Sequence, residues 1–340
     1  MSNLSNLDNY IRILCLVFET APYALGKLML QYLNRTNMTL PDLINKHQHE
    51  IYHYFTDKKC CICEATPSKC KSVIGKNQLM ELFDTSPNAK RLTLHKYGNP
   101  QRSMCCCFAN TIVVKNLDFT LLTFLMINFY GDEFWICFLE KYENDFEKFL
   151  SDEKHKLFHL WKLNVACCEC RTGYPCPDVT IIRIDQFEKM YEKITSKCPI
   201  KDTCTCHFKP KRGLTFKELE RRDKVLFTSL TNYFCNVRKA IEAISNIRNS
   251  RIAHVKSMDM SKNDFDSLWK LMRDSLLEIA ASTQSETEIT QRIEQCAIRD
   301  LDIGMGQKWM RELLLDQDLT QVRFYLHKTN YIDNKRRTQM

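Results

Sequence analysis

The chain has 340 residues, room for two or three domains with sizeable cores, and its 8 glycines and 9 prolines exclude a collagen-like or low-complexity composition. Its formal charge of +8 permits a nucleic-acid or acidic partner without demanding one. Asp8 and Arg12 interrupt the opening apolar stretch, so no leader is read there, and the longest apolar run, Leu121 to Phe129, is too short to span a membrane.

A soluble, cytoplasmic chain with no membrane contact and no small-molecule cofactor is therefore expected. In a reducing compartment its 18 cysteines, where closely spaced, are better read as metal ligands than as disulfides.

Residues Tyr10 to Leu33 predict one amphipathic helix, its apolar face built from Leu14, Leu16, Val17, Ala21, Leu25, Leu28 and Tyr32. Pro22 lies inside this run and lacks an N–H, so it either kinks the helix or starts a second one. A turn over Asn37 to Asp42 leads into a further helix, Leu43 to Phe55.

An imperfect tandem repeat follows. His49-Glu-Ile-Tyr-His53 precedes Cys60-Cys61-Ile-Cys63 and a short helix carrying Gln78. About a hundred residues later, on the scale of a whole domain, His155-Lys-Leu-Phe-His159 precedes Cys167-Cys168-Glu-Cys170 and a short helix carrying Gln186. The second halves correspond as well, Cys105-Cys106-Cys107 matching Cys204-Thr-Cys206.

Four soft ligands in two close pairs, brought together by a loop, make a closed tetrahedral zinc site. The candidates are Cys60, Cys61, Cys63, Cys105 and Cys107 in the first unit, and Cys167, Cys168, Cys170, Cys204 and Cys206 in the second. Which members of each CCxC ligate is left open, and Cys70, Cys176 and Cys198 are available as substitutes. About two structural zinc ions per chain follow, and their thiolates bring the net charge to about +4. The two His pairs sit at the i, i+4 spacing that can hold a metal. His49-Glu50-Ile51-Tyr52-His53 matches H-E-x-x-H formally, but its repeat partner lacks the Glu, and the match is read as chance.

Between the units, Leu121 to Phe129 should be a buried helix, with Phe134 to Leu139 continuing the burial. Glu140 to Lys156 is expected to be a charged, solvated spacer. Lys209, Lys211 and Arg212, soon followed by Arg221 and Arg222, interleave with His207 and Phe208. That mixture of cations and rings suits single-stranded RNA, although a charge run is more often a solvated face.

In the stretch Val237 to Val255, the residues Ala240, Ile244, Ile247, Arg251 and His254 recur at helical spacing, so an apolar stripe runs into an Arg/His pair. A guanidinium grips phosphate and an imidazole moves protons near neutral pH, which is what cleavage of RNA through its own 2′-hydroxyl needs. Beyond it, Phe265, Leu268, Trp269, Leu271, Met272, Leu276 and Ile279 predict a helix packed on the Ile244/Ile247 stripe, and Glu288 to Leu315 reads as a helical interaction appendage.

The string Ile247-Arg248-Asn249-Ser250-Arg251-Ile252-Ala253-His254, with the later Phe265-Asp-Ser-Leu-Trp269, resembles the HEPN superfamily. Within it the chain is most similar to the branch first described in a DAZ-interacting zinc-finger ubiquitin ligase. The likeness covers about Leu219 to Ala281, to which the N-terminal helix can be added. It implies a mainly α fold, a helical bundle that pairs with a second copy to form an RNA-binding or RNA-cutting groove. Arg248, Asn249 and His254 supply the family's Arg, polar residue and His. On a straight helix Arg248 and His254 stand about 120° apart and Arg251 and His254 about 60°, so either the helix is distorted here or Arg251 takes the phosphate.

The expected organisation is thus N-terminal helices with the first Cys-rich unit (1–139), the second Cys-rich unit (140–217), a HEPN-like domain (218–285) and the appendage (286–340). Two functions stay open. One is an RNA-binding homodimer that cuts without metal, with Arg248 or Arg251 on the phosphate, His254 as proton carrier and Asn249 as an orienting donor. The other is a non-catalytic interaction scaffold whose zinc is purely structural.

Overall fold

The computed structural model describes residues 2–56, 58–62, 74–86, 89–93, 104–163, 165, 167, 180–194, 207–252, 260–301, 304–309 and 311. The fold is mainly helical. It forms two compact units, Met1–Phe129 together with Ala240–Met340, and Tyr130–Lys239.

The first unit begins with α1 (Ser2–Cys15) and α2 (Ala21–Thr36), joined without a break by a π-helical turn over Leu16–Thr20. Pro22 explains the turn. With no N–H, it leaves the Phe18 carbonyl without its α-helical donor. The wider winding lets the Ala21 N–H bond the Leu16 carbonyl five residues back, so the helix carries on past the proline. Leu14, Leu16, Val17, Ala21, Leu25 and Leu28 are all buried on the predicted face. By length and apolar content alone this run, Asn6–Thr36, could cross a membrane, but 61% of its most apolar window is buried within the protein.

The expected helix Leu43 to Phe55 is two helices, α3 (Leu40–Lys46) and α4 (Gln48–Phe55), broken at His47. Thr39 and Asp42 form a reciprocal cap at the start of α3, the Thr39 N–H donating to Asp42 at 3.0 Å and the Asp42 N–H to Thr39 at 3.3 Å. After α5 (Lys76–Leu82), the uniformly apolar α6 (Phe119–Phe129) packs against α2, buried as its composition requires.

The second unit holds α7 (Gly131–Leu139), α8 (Phe146–Asp152), α9 (Lys154–Trp161), α10 (Ile184–Met190), α11 (Phe216–Arg222) and α12 (Lys224–Phe234). Two short antiparallel strands, β1 (Tyr191–Lys193) and β2 (Phe208–Pro210), pair Tyr191 with Pro210 and Lys193 with Phe208. The core is centred on Trp135, which is fully buried. Its ring meets Phe138, Phe146, Phe149, Phe216 and Phe227, and its indole N–H donates to the Thr231 hydroxyl at 2.8 Å. The predicted solvated spacer is not one. Glu143 and Asn144 take left-handed backbone angles, φ 58° and 62°, and Asp145 caps α8, whose Phe146, Phe149 and Leu150 are buried. The apolar residues at intervals of three and four were masked in the sequence by the surrounding charges.

The chain then continues through α13 (Asn236–Asn246), a second π-helical turn (Ile247–Ile252), α14 (Lys262–Ser282) and α15 (Glu286–Ile298). Met272, Leu276 and Ile279 of α14 are buried, and α14 packs against α1, α2 and α15. Phe265, Leu268 and Trp269 are only half-buried and Leu271 is exposed, so the predicted apolar face is engaged mainly toward its C-terminal end. Within the span of the expected appendage, α15 is a core element instead. Ile289, Ile293 and Cys296 bury one face of α15 against α1, α14 and the first π turn, and Trp309 stacks on Phe18 at 5.6 Å. The compact units consequently do not follow the boundaries 1–139, 140–217, 218–285 and 286–340. The C-terminal helices find their partners near the N-terminus, a pairing that no local sequence pattern encodes.

Truncating the central ring, Trp135→Ala, should cost about 3–5 kcal/mol in denaturant unfolding followed by circular dichroism. Ile298→Ser, at a side chain 81% exposed, should stay within about 0.5 kcal/mol.

Candidate functional site

The repeat is visible in three dimensions. In each copy a seven-residue helix leads into an eight-residue helix bearing the His pair, α3–α4 in the first and α8–α9 in the second. A seven-residue helix follows, and its first backbone N–H is capped by a glutamine. Gln78 accepts from the Gly75 N–H at 2.9 Å and Gln186 from the Arg183 N–H at 3.0 Å. Antiparallel pairing closes each copy, through β1 and β2 in the second and through the bridges Phe83 to Ala109 and Arg91 to Cys107 in the first.

This frame brings Cys and His side chains together in groups able to hold a metal ion. His49, His53 and Cys60 present their ligand atoms within 4.8 Å of one another, as do Cys61, Cys105 and Cys106, and again His155, His159 and Cys167. The Sγ atoms of Cys61 and Cys106 lie 3.7 Å apart, close to the ~3.8 Å edge of a tetrahedron with ~2.3 Å zinc–sulfur bonds. The backbone contributes to this second cluster. Cys106 takes a left-handed φ of 55°, a strained choice for a residue with a Cβ, and the Cys61 N–H donates to the Cys105 sulfur at 2.9 Å. Burial raises the thiols of Cys105 and Cys106, and the nearby Cys61 raises that of Cys106 further, so a cation would release protons on binding. Burial and the neighbouring His49 lower His53, which favours the neutral imidazole a metal needs.

Of the predicted ligands, Cys60, Cys61, Cys105 and Cys167 fall in these groups, but the grouping differs from the one expected. Cys60 joins the histidines, not Cys61. Cys106 takes the place assigned to Cys107, which accepts a hydrogen bond from the Arg91 guanidinium and whose thiol burial pushes up to about 11. Cys63, Cys168, Cys170, Cys204 and Cys206, with Cys70, Cys176 and Cys198, lie outside the described residues. The histidines were passed over as ligands in the sequence. Their signal was the nearly constant distance from each pair to its Cys doublet, seven residues from His53 to Cys60 and eight from His159 to Cys167. Glu50, the formal base of H-E-x-x-H, instead faces His47 at 3.5 Å.

The arginine motif lies on the second π-helical turn, so the helix is distorted where the geometry asked for it. Arg248 is 7% exposed, its guanidinium 5.5 Å from the Phe119 ring centre and donating to the Asn249 side chain at 2.9 Å. Asn249 donates in turn to Ser245 at 3.3 Å. Arg251 is exposed, and His254 lies outside the described residues. Helix α1 holds both ends of the intervening segment, because the Tyr10 hydroxyl donates to the Ile252 carbonyl and Asn9 to the Met260 carbonyl, each at 3.3 Å.

Three of the five predicted RNA-binding cations pair with two carboxylates. Lys209 pairs with Glu192 at 3.1 Å, and Arg221 and Arg222 both pair with Glu218. Lys211 is half-buried and Arg212 exposed beside them.

No protein-family model, curated protein or solved structure matches the chain.

One polar cluster has no local signature at all. Arg299 makes two hydrogen bonds to the Glu19 carboxylate, at 2.7 and 2.8 Å, and a third to the Cys15 sulfur at 2.7 Å, beside Cys296. A hydrogen bond from Cys15, aided by Thr20 and the charge of Arg299, lowers the Cys296 thiol to about 7, while Cys15 is pushed far up by sharing its proton with Cys296 and by burial. A thiol lowered by folding stabilises the fold at a pH above its unfolded value, and that contribution is lost as pH falls through about 7. Chemical denaturation between about pH 6 and pH 9 should therefore show the wild type gaining stability over Cys296→Ala as pH rises. Parallel curves would rule out the shared proton.

Proposed function

We propose that this chain is a non-catalytic helical interaction scaffold of the HEPN type, its Cys- and His-bearing loops closed on structural zinc. The observation that carries this reading is the placement of Arg248. A guanidinium that grips a scissile phosphate has to reach solvent, whereas Arg248 is buried against Phe119 and spends a hydrogen bond on Asn249. Arg248 thus serves the packing of the first unit, and the exposed Asn249 accepts its hydrogen bond. The clusters support the same reading, since the buried thiols of Cys61, Cys105 and Cys106, and the partly buried His and Cys groups that no carboxylate joins among the described residues, suit a closed, structural ion rather than an open, hydrolytic one. Imidazole and thiolate donors select zinc over calcium or magnesium, which take oxygen.

A second reading, RNA binding by a homodimer with metal-independent cleavage, is favoured by Arg251. It is exposed on a π-helical turn, a distortion often found at functional sites. In that reading Arg251 takes the phosphate, Asn249 orients it, His254 moves the proton, and Lys211 and Arg212 extend the contact.

The test incubates the full chain with labelled single-stranded RNA at low salt without added divalent ions, so that its own metal is kept, and follows both gel shift and cleavage. Light scattering reports self-association in parallel. The scaffold reading expects intact RNA, and the same result for Arg251→Glu and His254→Ala. Cleavage by the wild type that His254→Ala abolishes, with helicity unchanged, would replace it with the nuclease.

A further inference from the structure

We propose that the Cys60-Cys61 doublet is divided between two metal ions, and that each repeat carries a His-x-x-x-His plus cysteine metal site, separate in the first repeat from the all-cysteine one. The proposal rests on the reading that the lobes bind zinc, and changes where and how much.

Cys60 and Cys61 are neighbours in the chain, yet their sulfurs go to different partners. The Cys60 sulfur lies 3.1 Å from His49 Nδ1, while that of Cys61 lies 3.7 Å from Cys106. The histidine site recurs in the second repeat with nearly the same dimensions. There Cys167 lies 3.2 Å from His155 Nδ1, against 3.1 Å in the first copy. The two rings of each pair are 4.8 Å apart in both copies, inclined at 80° and 75°. Packing alone has no reason to reproduce a polar triad in this way, because the surrounding apolar residues differ. Ile51 and Tyr52 stand where Leu157 and Phe158 stand in the second copy.

The surroundings of the first triad also suit a ligand role. His53 Nδ1 lies 3.2 Å from the Thr56 carbonyl, which holds the proton on Nδ1 and turns Nε2 into the lone-pair nitrogen. Such a carbonyl partner is the usual support of a metal-bound imidazole. At the position after the first histidine, Glu50 faces His47 in the first repeat and Lys156 stands in the second, so neither supplies a metalloprotease-type base. Each site therefore holds an ion on two nitrogens and one sulfur. Water or a donor outside the described residues completes the tetrahedron, and zinc is the ion this mixed set selects.

Zinc X-ray absorption on the full, as-purified chain tests the proposal without any substitution. The expected first shell mixes imidazole nitrogen at about 2.0–2.1 Å with sulfur at about 2.3 Å. Elemental analysis of His49→Ala/His53→Ala, and of the same chain with His155→Ala and His159→Ala added, should show one ion and then two lost relative to the wild type. A sulfur-only shell, or unchanged metal content in folded variants, would overturn the division while leaving a zinc-bound scaffold. A wild-type chain purified with no metal, and binding none when zinc is added, would overturn the zinc reading itself.

Discussion

One helical turn separates His49 from His53, and a short return of the chain brings Cys60 back to within 3.1 Å of the first imidazole. The helices around this meeting point have seven or eight residues, well below the length at which an isolated helix holds itself together. Each copy is correspondingly dense in local fastenings. A glutamine caps the third helix, reciprocal or single-residue caps open the first, and Cys and His side chains converge where the chain would otherwise be loop. Gln186 does more, because its amide also reaches Asp223 at 3.5 Å. There burial works to raise the carboxyl, and hydrogen bonds from Lys189 and the Leu226 N–H outweigh it and hold the carboxyl down.

The helical bundle of the first unit relies on a different device. Twice its helices pass through a π-helical turn, once to carry α1 into α2 past Pro22 and once at Ile247–Ile252. Each widened turn rotates the following residues, and in both places a polar side chain distant in sequence bonds to the turn. Arg299 clasps Glu19 on the first turn, and Tyr10 meets the Ile252 carbonyl at the end of the second. Arg248 pays its desolvation through the ring of Phe119 and the amide of Asn249, which makes it part of the wall.

Charge tells a similar story. The basic run from Lys209 to Arg222 is cationic in the sequence, yet Glu192 and Glu218 take up three of its members and Asp223 accepts from Lys189 alongside. Such exposed pairs contribute little to stability, but they flatten the field that a polyanion would feel.

The sequence by itself determined the helical class, the burial of Leu121–Phe129, the apolar face from Leu14 to Leu28, and the repeat with its Gln-bearing helix, because each rests on spacing within one or two turns of chain. It also left two alternatives at Arg248, a distorted helix or a phosphate held by Arg251, and the π-helical turn lies over Ile247–Ile252. Tertiary structure alone decided that α15 is core and not appendage, that Glu140–Lys156 hides an aromatic face, that Arg248 points inward, and that Cys60 belongs with two histidines while Cys61 belongs with Cys105 and Cys106. The physical reason is common to all four. A side chain's partner across a fold is set by which helices dock and how each is rotated, and no local period records that rotation.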